Sequence, residues 1–284
     1  NKKLDKAINE GPIQAYIADS LLFRHWTHYN IGKYSHIFLS DVDSVNYEDV
    51  TPGEYNSPTF SAGGGGEYDI SPDGNKIVFM SKRVKDPALS TNSDIYLYDV
   101  SSGETKNLTK ENIAWDGDPQ FSSDGKFIAY KTQRVPGNES DQIRLAIYDL
   151  QNGKSKVLTE DFDYWINDFE WNENSEEIFF TALVEGYLPL YKINLDSEKI
   201  SEVISKKVIA RFDLSKDKII YSASSVGEPA ELYSYDESDS SIKRITSFNN
   251  EIAEKVDIRP AEELWIKGAD GKPLEGSLLQ VSNG

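Results

Sequence analysis

Apolar and polar residues alternate along most of this chain in short runs, and polar turns separate the runs. That is the period of half-buried β-strands rather than of helices. One phrase makes the pattern periodic on a longer scale. Ser71-Pro72-Asp73-Gly74-Asn75-Lys76-Ile77-Val78-Phe79 returns as Ser122-Ser123-Asp124-Gly125-Lys126-Phe127-Ile128-Ala129-Tyr130. It returns eroded as Asn172-Glu173-Asn174-Ser175-Glu176-Glu177-Ile178-Phe179-Phe180, and as a last trace in Ser215-Lys216-Asp217-Lys218-Ile219-Ile220-Tyr221. The copies begin about 51, 50 and 43 residues apart, a spacing typical of propellers and other repeat arrays.

Each period predicts four strands. The first unit reads as strands over 67–70, 76–81, 94–100 and 105–109, and the second over 119–122, 127–132, 143–150 and 154–159. The third reads as 167–171, 177–182, 188–194 and 199–204, and the fourth as 208–214, 218–223, 230–235 and 242–246. Four antiparallel strands make one propeller blade. Fourth strands close on Leu108-Thr109, Leu158-Thr159 and Ile245-Thr246, a β-rich pair. Before them, 36–42 and 47–51 read as the last two strands of a partial blade, and Gly11-Pro12 breaks any helix begun at Leu4. After them, 251–258 reads as the start of another inner strand. Residues 263–266 and 274–281 flank Asp270-Gly271, which reads as a two-residue hairpin turn.

The expected fold is therefore all-β: a β-propeller of about four full blades plus partial ones, with the leading half blade favouring an arc of a larger ring. The expected organisation is an N-terminal segment with a partial blade over 1–57, the four blades and the start of a further inner strand over 58–258, and a crossing segment over 259–284.

Charge narrows the function classes. Thirty basic residues against 48 acidic ones give a net charge of −18, which repels phosphate backbones and argues against nucleic acid as a partner. The chain has no cysteine, which excludes disulfides, thiolate zinc sites and a cysteine nucleophile. No apolar run approaches the roughly 20 residues of a membrane-spanning helix. No secretion signal is visible, and a chain that opens on Asn1 is expected to have lost residues before it.

Chemistry is sparse. No Gly-x-Ser-x-Gly elbow occurs, and the histidines are confined to His25, His28 and His36, so no Ser-His-Asp triad is legible and no catalytic residue is assigned. The His-x-x-His spacing matches no tight zinc motif, and packing beside Trp26, Tyr29 and Tyr34 is the favoured reading. Gly63 to Gly66 leads into a strand, not a helix, so a turn is expected there rather than a phosphate loop. Asp41-x-Asp43 and Asp116-x-Asp118 lack the glycine and distal glutamate of a calcium loop and read as turn chemistry. No metal and no cofactor is expected. Trp115, Trp165 and Trp171 sit at or near inner strands and read first as core.

Unrepeated phrases carry a resemblance. Arg24-His25-Trp26, Ser90-Thr91-Asn92-Ser93-Asp94-Ile95-Tyr96, Ala114-Trp115-Asp116, the stretch from Arg134 to Asp141 and Glu228-Pro229-Ala230-Glu231-Leu232-Tyr233 occur in an order similar to the propeller of prolyl oligopeptidase family serine peptidases. The closest branch is the dipeptidyl aminopeptidase and acylaminoacyl-peptidase group. The resemblance runs from about Leu22 to Leu279, and 263–279 is similar to the family's crossing from propeller to α/β-hydrolase domain. It implies a peptide substrate and a C-terminal hydrolase domain of the parent chain as partners. It also favours a periplasmic over a cytoplasmic setting. Acidic propeller residues of related dipeptidyl peptidases hold the substrate ammonium group. That makes Arg134, Glu139, Glu228 and Glu231 the candidate substrate-binding residues, weighed against ordinary structural ion pairing.

The expected function is a non-catalytic, substrate-gating propeller of a serine exopeptidase or oligopeptidase that releases dipeptides or acylated amino acids from short peptides. The chain alone is expected to be inactive. The alternative is a free-standing periplasmic propeller of the Tol-associated type that binds protein. A channel lyase or glycosidase is disfavoured, because its histidines would have to converge on inner strands.

Overall fold

The computed structural model describes residues 34–43, 45–59, 67–256 and 259–278, with scattered positions before residue 34. Trp26, Gly63 to Gly66, Ile258 and residues 279–284 lie outside the described residues, so the readings placed on them have no structural counterpart. The chain begins with two short ladders, β1 (Arg24–His25) with β2 (His28–Tyr29), and β3 (Phe38–Leu39) with β4 (Glu48–Asp49). Four sheets of four strands follow, each in sequential order. They are β5 (Tyr68–Ile70), β6 (Lys76–Ser81), β7 (Asp94–Asp99) and β8 (Thr105–Asn107); then β9 (Asp116–Phe121), β10 (Phe127–Thr132), β11 (Arg144–Asp149) and β12 (Lys154–Val157). The third is β13 (Ile166–Trp171), β14 (Glu177–Ala182), β15 (Leu190–Asn194) and β16 (Ile200–Ile204), and the fourth β17 (Val208–Ser215), β18 (Lys218–Ser225), β19 (Glu228–Asp236) and β20 (Ser241–Arg244). A helical turn, α1 (Asn250–Ala253), and a hairpin of β21 (Glu262–Lys267) and β22 (Pro273–Leu278) close the chain.

The contacts group these elements into two compact units. One comprises Asn1–Phe121, Ile128–Asp141 and Tyr148–Ser155; the other comprises Ser122–Phe127, Gln142–Ile147 and Lys156–Gly284. In the first, Ile37, Val50, Ile77, Phe79, Tyr96 and Tyr98 form a buried cluster. In the second, Phe179, Leu190, Ile204, Ile209, Phe212 and Tyr221 do the same. Second strands are buried on both faces: Ile77, Val78, Phe79 and Met80 in β6 are all under 5% exposed. That is the pattern of a sheet covered on both sides, as in stacked blades.

Turn chemistry explains why the repeated phrase forms a hairpin. Ser71 Oγ donates to Asp73 Oδ1 (2.6 Å) and accepts Lys76 N–H (2.9 Å), while Gly74 takes the left-handed conformation at φ 73°. Ser122, Asp124, Phe127 and Gly125 repeat this arrangement, with Gly125 at φ 70°. In the eroded third copy Asn172 Oδ1 accepts Glu177 N–H (3.0 Å), and Ser175 holds the left-handed position at φ 62°. The turn survives the change of residues because an acceptor remains at the first position.

The recurring threonine has an equally local cause. Its hydroxyl accepts the backbone N–H of a residue 14 positions earlier, in Ile37–Thr51, Ile95–Thr109, Leu145–Thr159 and Leu232–Thr246, at 2.9–3.0 Å. Each bond satisfies a donor where the third-strand ladder runs out. Thr51 extends the series into the partial blade.

Three expectations are corrected. Residues 250–253 form a helical turn, not the start of an inner strand; the segment is exposed and charged, and Asn249 N–H and Phe248 N–H are drawn to Glu231. The last hairpin is not closed by a two-residue turn. Residues 268–272 separate β21 from β22, with Gly268 N–H bonded to Lys272 O (2.7 Å) and Gly271 at φ 83°. Finally, β9 starts at Asp116 rather than at Pro119, because Asp118 (φ 51°) sits in a bulge that carries Gly117 and Pro119 within the strand.

Candidate functional site

The loop between β10 and β11 is ordered by one carboxylate. Asp141 Oδ2 accepts Arg134 N–H (2.5 Å) and Val135 N–H (3.0 Å), and Gln133 Nε2 donates to the carbonyls of Asp141 (2.5 Å) and Glu139 (3.3 Å). Gly137 N–H reaches Thr91 Oγ1 at 2.9 Å. The candidates Arg134 and Glu139 therefore stand exposed on a loop whose backbone is fixed. Beside it, burial pushes the Lys82 ammonium down, and the Glu139 carboxylate opposes that shift.

The first unit also holds two buried acids, Asp116, which the sequence read as turn chemistry with Asp118, and Asp94, which it read as a strand residue. Asp116 is fully buried; Oδ1 accepts Asn112 Nδ2 (2.8 Å), whereas Oδ2 has no donor. Burial raises its pKa to about 7 against the opposing bonds from Thr132, Asn112 and Thr109, with Asp94 adding repulsion. Asp94 Oδ2 accepts Asn107 Nδ2 (2.9 Å) while Oδ1 is unpartnered, and burial pushes its carboxyl up as well. Asp118, in contrast, pairs with Lys131. Asp116 and Asp118 thus stand in different surroundings, one buried and one paired with a lysine.

Glu228 and Glu231 lie on β19 in the other unit. Glu228 pairs with Lys207, and that contact holds its carboxyl below the ordinary range. Glu231 is 3% exposed and receives Thr246 Oγ1, Asn249 N–H (2.8 Å), Phe248 N–H (3.1 Å) and Arg244 Nη2 (3.0 Å). Burial opposes ionisation there, and the four donors outweigh it, bringing the pKa to about 2. A ligand ammonium would have to break those bonds to reach Glu231. Of the four candidates, two lie on the β10–β11 loop in the first unit and two on β19 in the second.

The inner strands carry a device that sequence reasoning missed. Asp69 on β5 accepts the N–H of Phe121, 52 residues later, at 2.8 Å. Glu170 on β13 accepts Leu214 N–H in the same register. Both stand two residues before the repeated turn phrase, and that placement was the signal available. Burial raises Glu170 to about 7, with Asp213 and Asp168 adding repulsion.

His36 Nδ1 lies 2.6 Å from Asp49 Oδ2 and Nε2 lies 3.0 Å from Gly53 O, a structural setting. Trp171 is buried and stacks with Phe127 at 6.4 Å, while Trp165 is 40% exposed. Among the described residues no helix is long and apolar enough to cross a membrane.

No protein-family model matches the chain. Dipeptidyl-peptidase 5 of Porphyromonas gingivalis is 30% identical over 275 residues, covering 94% of this chain and 39% of that protein. The chain thus spans about two fifths of the curated relatives it matches. Among solved structures, Pyrococcus horikoshii acylaminoacyl peptidase superposes with a TM-score of 0.58 at 24% identity, covering 74% of this chain and 32% of that one. TolB from Acinetobacter baumannii superposes with a TM-score of 0.50 at 19% identity, covering 74% of this chain and 48% of that one. At these identities the two structures speak for the propeller fold. Blade-type sheets, the ordered unrepeated phrases and the dipeptidyl-peptidase match lead to one conclusion: the chain is a β-propeller region, similar over most of its length to dipeptidyl-peptidase 5 and consistent with the propeller of a prolyl oligopeptidase family peptidase.

Proposed function

We propose that this propeller gates substrate for a serine exopeptidase or oligopeptidase that releases dipeptides or acylated amino acids from short peptides. The observation that carries the reading is the 30% identity to a dipeptidyl-peptidase 5 along 94% of the chain. The sequence offers no nucleophile elbow and no histidine beyond residue 36, so bond cleavage is assigned to a hydrolase domain of the parent protein. The propeller's contribution is to select by size and to keep water from the reacting centre. Arg134 and Glu139, charged and exposed on a backbone held in place, are the residues proposed to meet the peptide. Glu228 would serve only after leaving Lys207.

The chain by itself is expected to leave dipeptidyl and acyl-amino-acid reporter substrates intact. Turnover that a serine-directed fluorophosphonate blocks would end the proposal. In the parent protein, Arg134→Ala with Glu139→Ala is expected to raise KM for dipeptidyl substrates with kcat and the unfolding midpoint unchanged. The second reading is a free-standing protein-binding propeller, and the superposition on TolB supports the fold that both readings share. An open reading frame that stops directly after Gly284 would support the second reading, and a Gly-x-Ser-x-Gly segment further on would support the peptidase.

A further inference from the structure

A cleft of about 290 Å³ lies in the first unit, lined by residues 48–52 together with Tyr55, Arg83, Tyr98, Gly103 and Thr105. Its most unusual element is Arg83. The guanidinium carbon sits 4.2 Å from the ring centre of Tyr55 and 4.2 Å from that of Tyr96. Two aromatic rings at cation–π distance hold the guanidinium in place. Nε makes one long contact to Ser81 Oγ (3.4 Å), and no carboxylate of the described residues pairs with the fork. A planar cation held in this way, with its remaining donors on the cleft, suits a bidentate carboxylate.

The same cleft carries the complementary charge. Asp49 is engaged by His36 Nδ1 (2.6 Å) and Thr51 N–H (3.0 Å), but Glu48 has only a 3.4 Å contact from Tyr98 OH. The cleft therefore offers one uncommitted cation and one lightly committed anion. A polyanion is disfavoured by the net charge of −18, whereas a ligand with one charge of each sign meets no net repulsion. The volume lies at the lower end of the range for small-molecule pockets.

We propose that this cleft binds a small zwitterion, a free dipeptide, with its carboxylate on Arg83 and its ammonium group on Glu48. The site is built from this unit's own residues and does not depend on the peptidase reading; failure here leaves the turnover test of that reading untouched.

Isothermal titration of the chain with glycylglycine tests it. Saturable binding is expected. Glycylglycinamide, which lacks the carboxylate, and N-acetylglycylglycine, which lacks the ammonium group, are each expected to bind at least ~10-fold more weakly. Arg83→Gln should abolish binding, and Glu48→Gln should reduce glycylglycine to the affinity of its acetylated analogue. Because Arg83 also packs between two rings, a second variant guards against misfolding. Thr105→Tyr, at an exposed strand position, narrows the cleft and should remove binding with the thermal midpoint unchanged. Absence of saturable heat up to about 10 mM glycylglycine, equal binding of the capped analogues, or full binding in both Arg83→Gln and Thr105→Tyr would overturn the assignment.

Discussion

Asp94 in the first full blade and Glu231 in the fourth occupy the same place: each precedes the residue whose N–H the recurring threonine accepts. Both side chains are buried, yet their carboxyls move in opposite directions. Asp94 keeps one oxygen without a donor and lies near a second acid, Asp116, so burial pushes it up. Glu231 collects four donors, among them the Arg244 guanidinium, and stays ionised down to about 2. Equal burial gives opposite electrostatics because the donors come from elsewhere in the chain. Glu231 draws on residues 244–249, whereas Asp94 has only Asn107 and Tyr96 within reach. The backbone repeat fixes where an acid stands, and the local supply of N–H and guanidinium groups fixes what it does.

The largest effect is expected at Glu231. Glu231→Ala leaves Arg244 and the N–H groups of Phe248 and Asn249 without their acceptor, and chemical denaturation should show a larger loss than for any variant below. A loss smaller than that of Asp94→Ala would break the comparison.

Next comes pH. Asp116 has a carboxyl raised from 3.8 to about 7, so the folded state holds a proton that the unfolded chain has released. Its stabilising contribution is complete below about pH 4 and is lost as pH rises through about 7, a change on the order of 4 kcal/mol. Glu170, raised from 4.5 to about 7, acts in the same sense. Glu231, lowered from 4.5 to about 2, acts in the reverse sense: its contribution is complete above about 4.5 and is lost as pH falls toward 2. Denaturation series across pH 2–8 should show both limbs. Asp116→Asn with Glu170→Gln should flatten the upper one and leave the acid one. An unchanged upper limb would mean that neither acid carries its proton as described.

Smaller effects test the shared framework. Thr159→Val keeps the shape and removes the hydroxyl that accepts the buried Leu145 N–H, for an expected cost of about 1–3 kcal/mol at the denaturation midpoint. Gly125→Ala puts a Cβ on a residue at φ 70° and should cost about 1–2 kcal/mol, without disturbing either pH limb.

The second strands 76–81, 127–132 and 177–182 were legible to the residue, because a serine, aspartate or asparagine turn pins the start and alternation carries the rest. The threonine pair was visible as a motif, but its role was not, since the partner N–H lies 14 residues away on another strand. Asp69 and Glu170 were legible only as residues within strands 67–70 and 167–171; their partners lie 52 and 44 residues along the chain, and only folding brings them together. The early start of β9 was hidden because a bulge at Asp118 carries Asp116 and Gly117 into the strand ahead of Pro119, and nothing in the local sequence marks that bulge. Of the candidate substrate residues, Glu231 shows the limit most clearly. Its chemistry suits an ammonium ion, and nothing in the local sequence announces that Arg244 and two peptide groups already surround it.

The 14-residue threonine bond has a consequence for how such a protein can vary. It locks the span from third strand to fourth, so length changes there would tear a buried donor from its acceptor. The link between second and third strands carries no such clamp, and it runs to 12, 11, 7 and 2 residues in the four successive sheets. In the sheets that carry the bond, growth and loss of chain are thereby channelled to the link between second and third strands, where the Arg134 loop stands, while the corner held by the threonine keeps its dimensions. New specificities can be tried along that edge without renegotiating the scaffold.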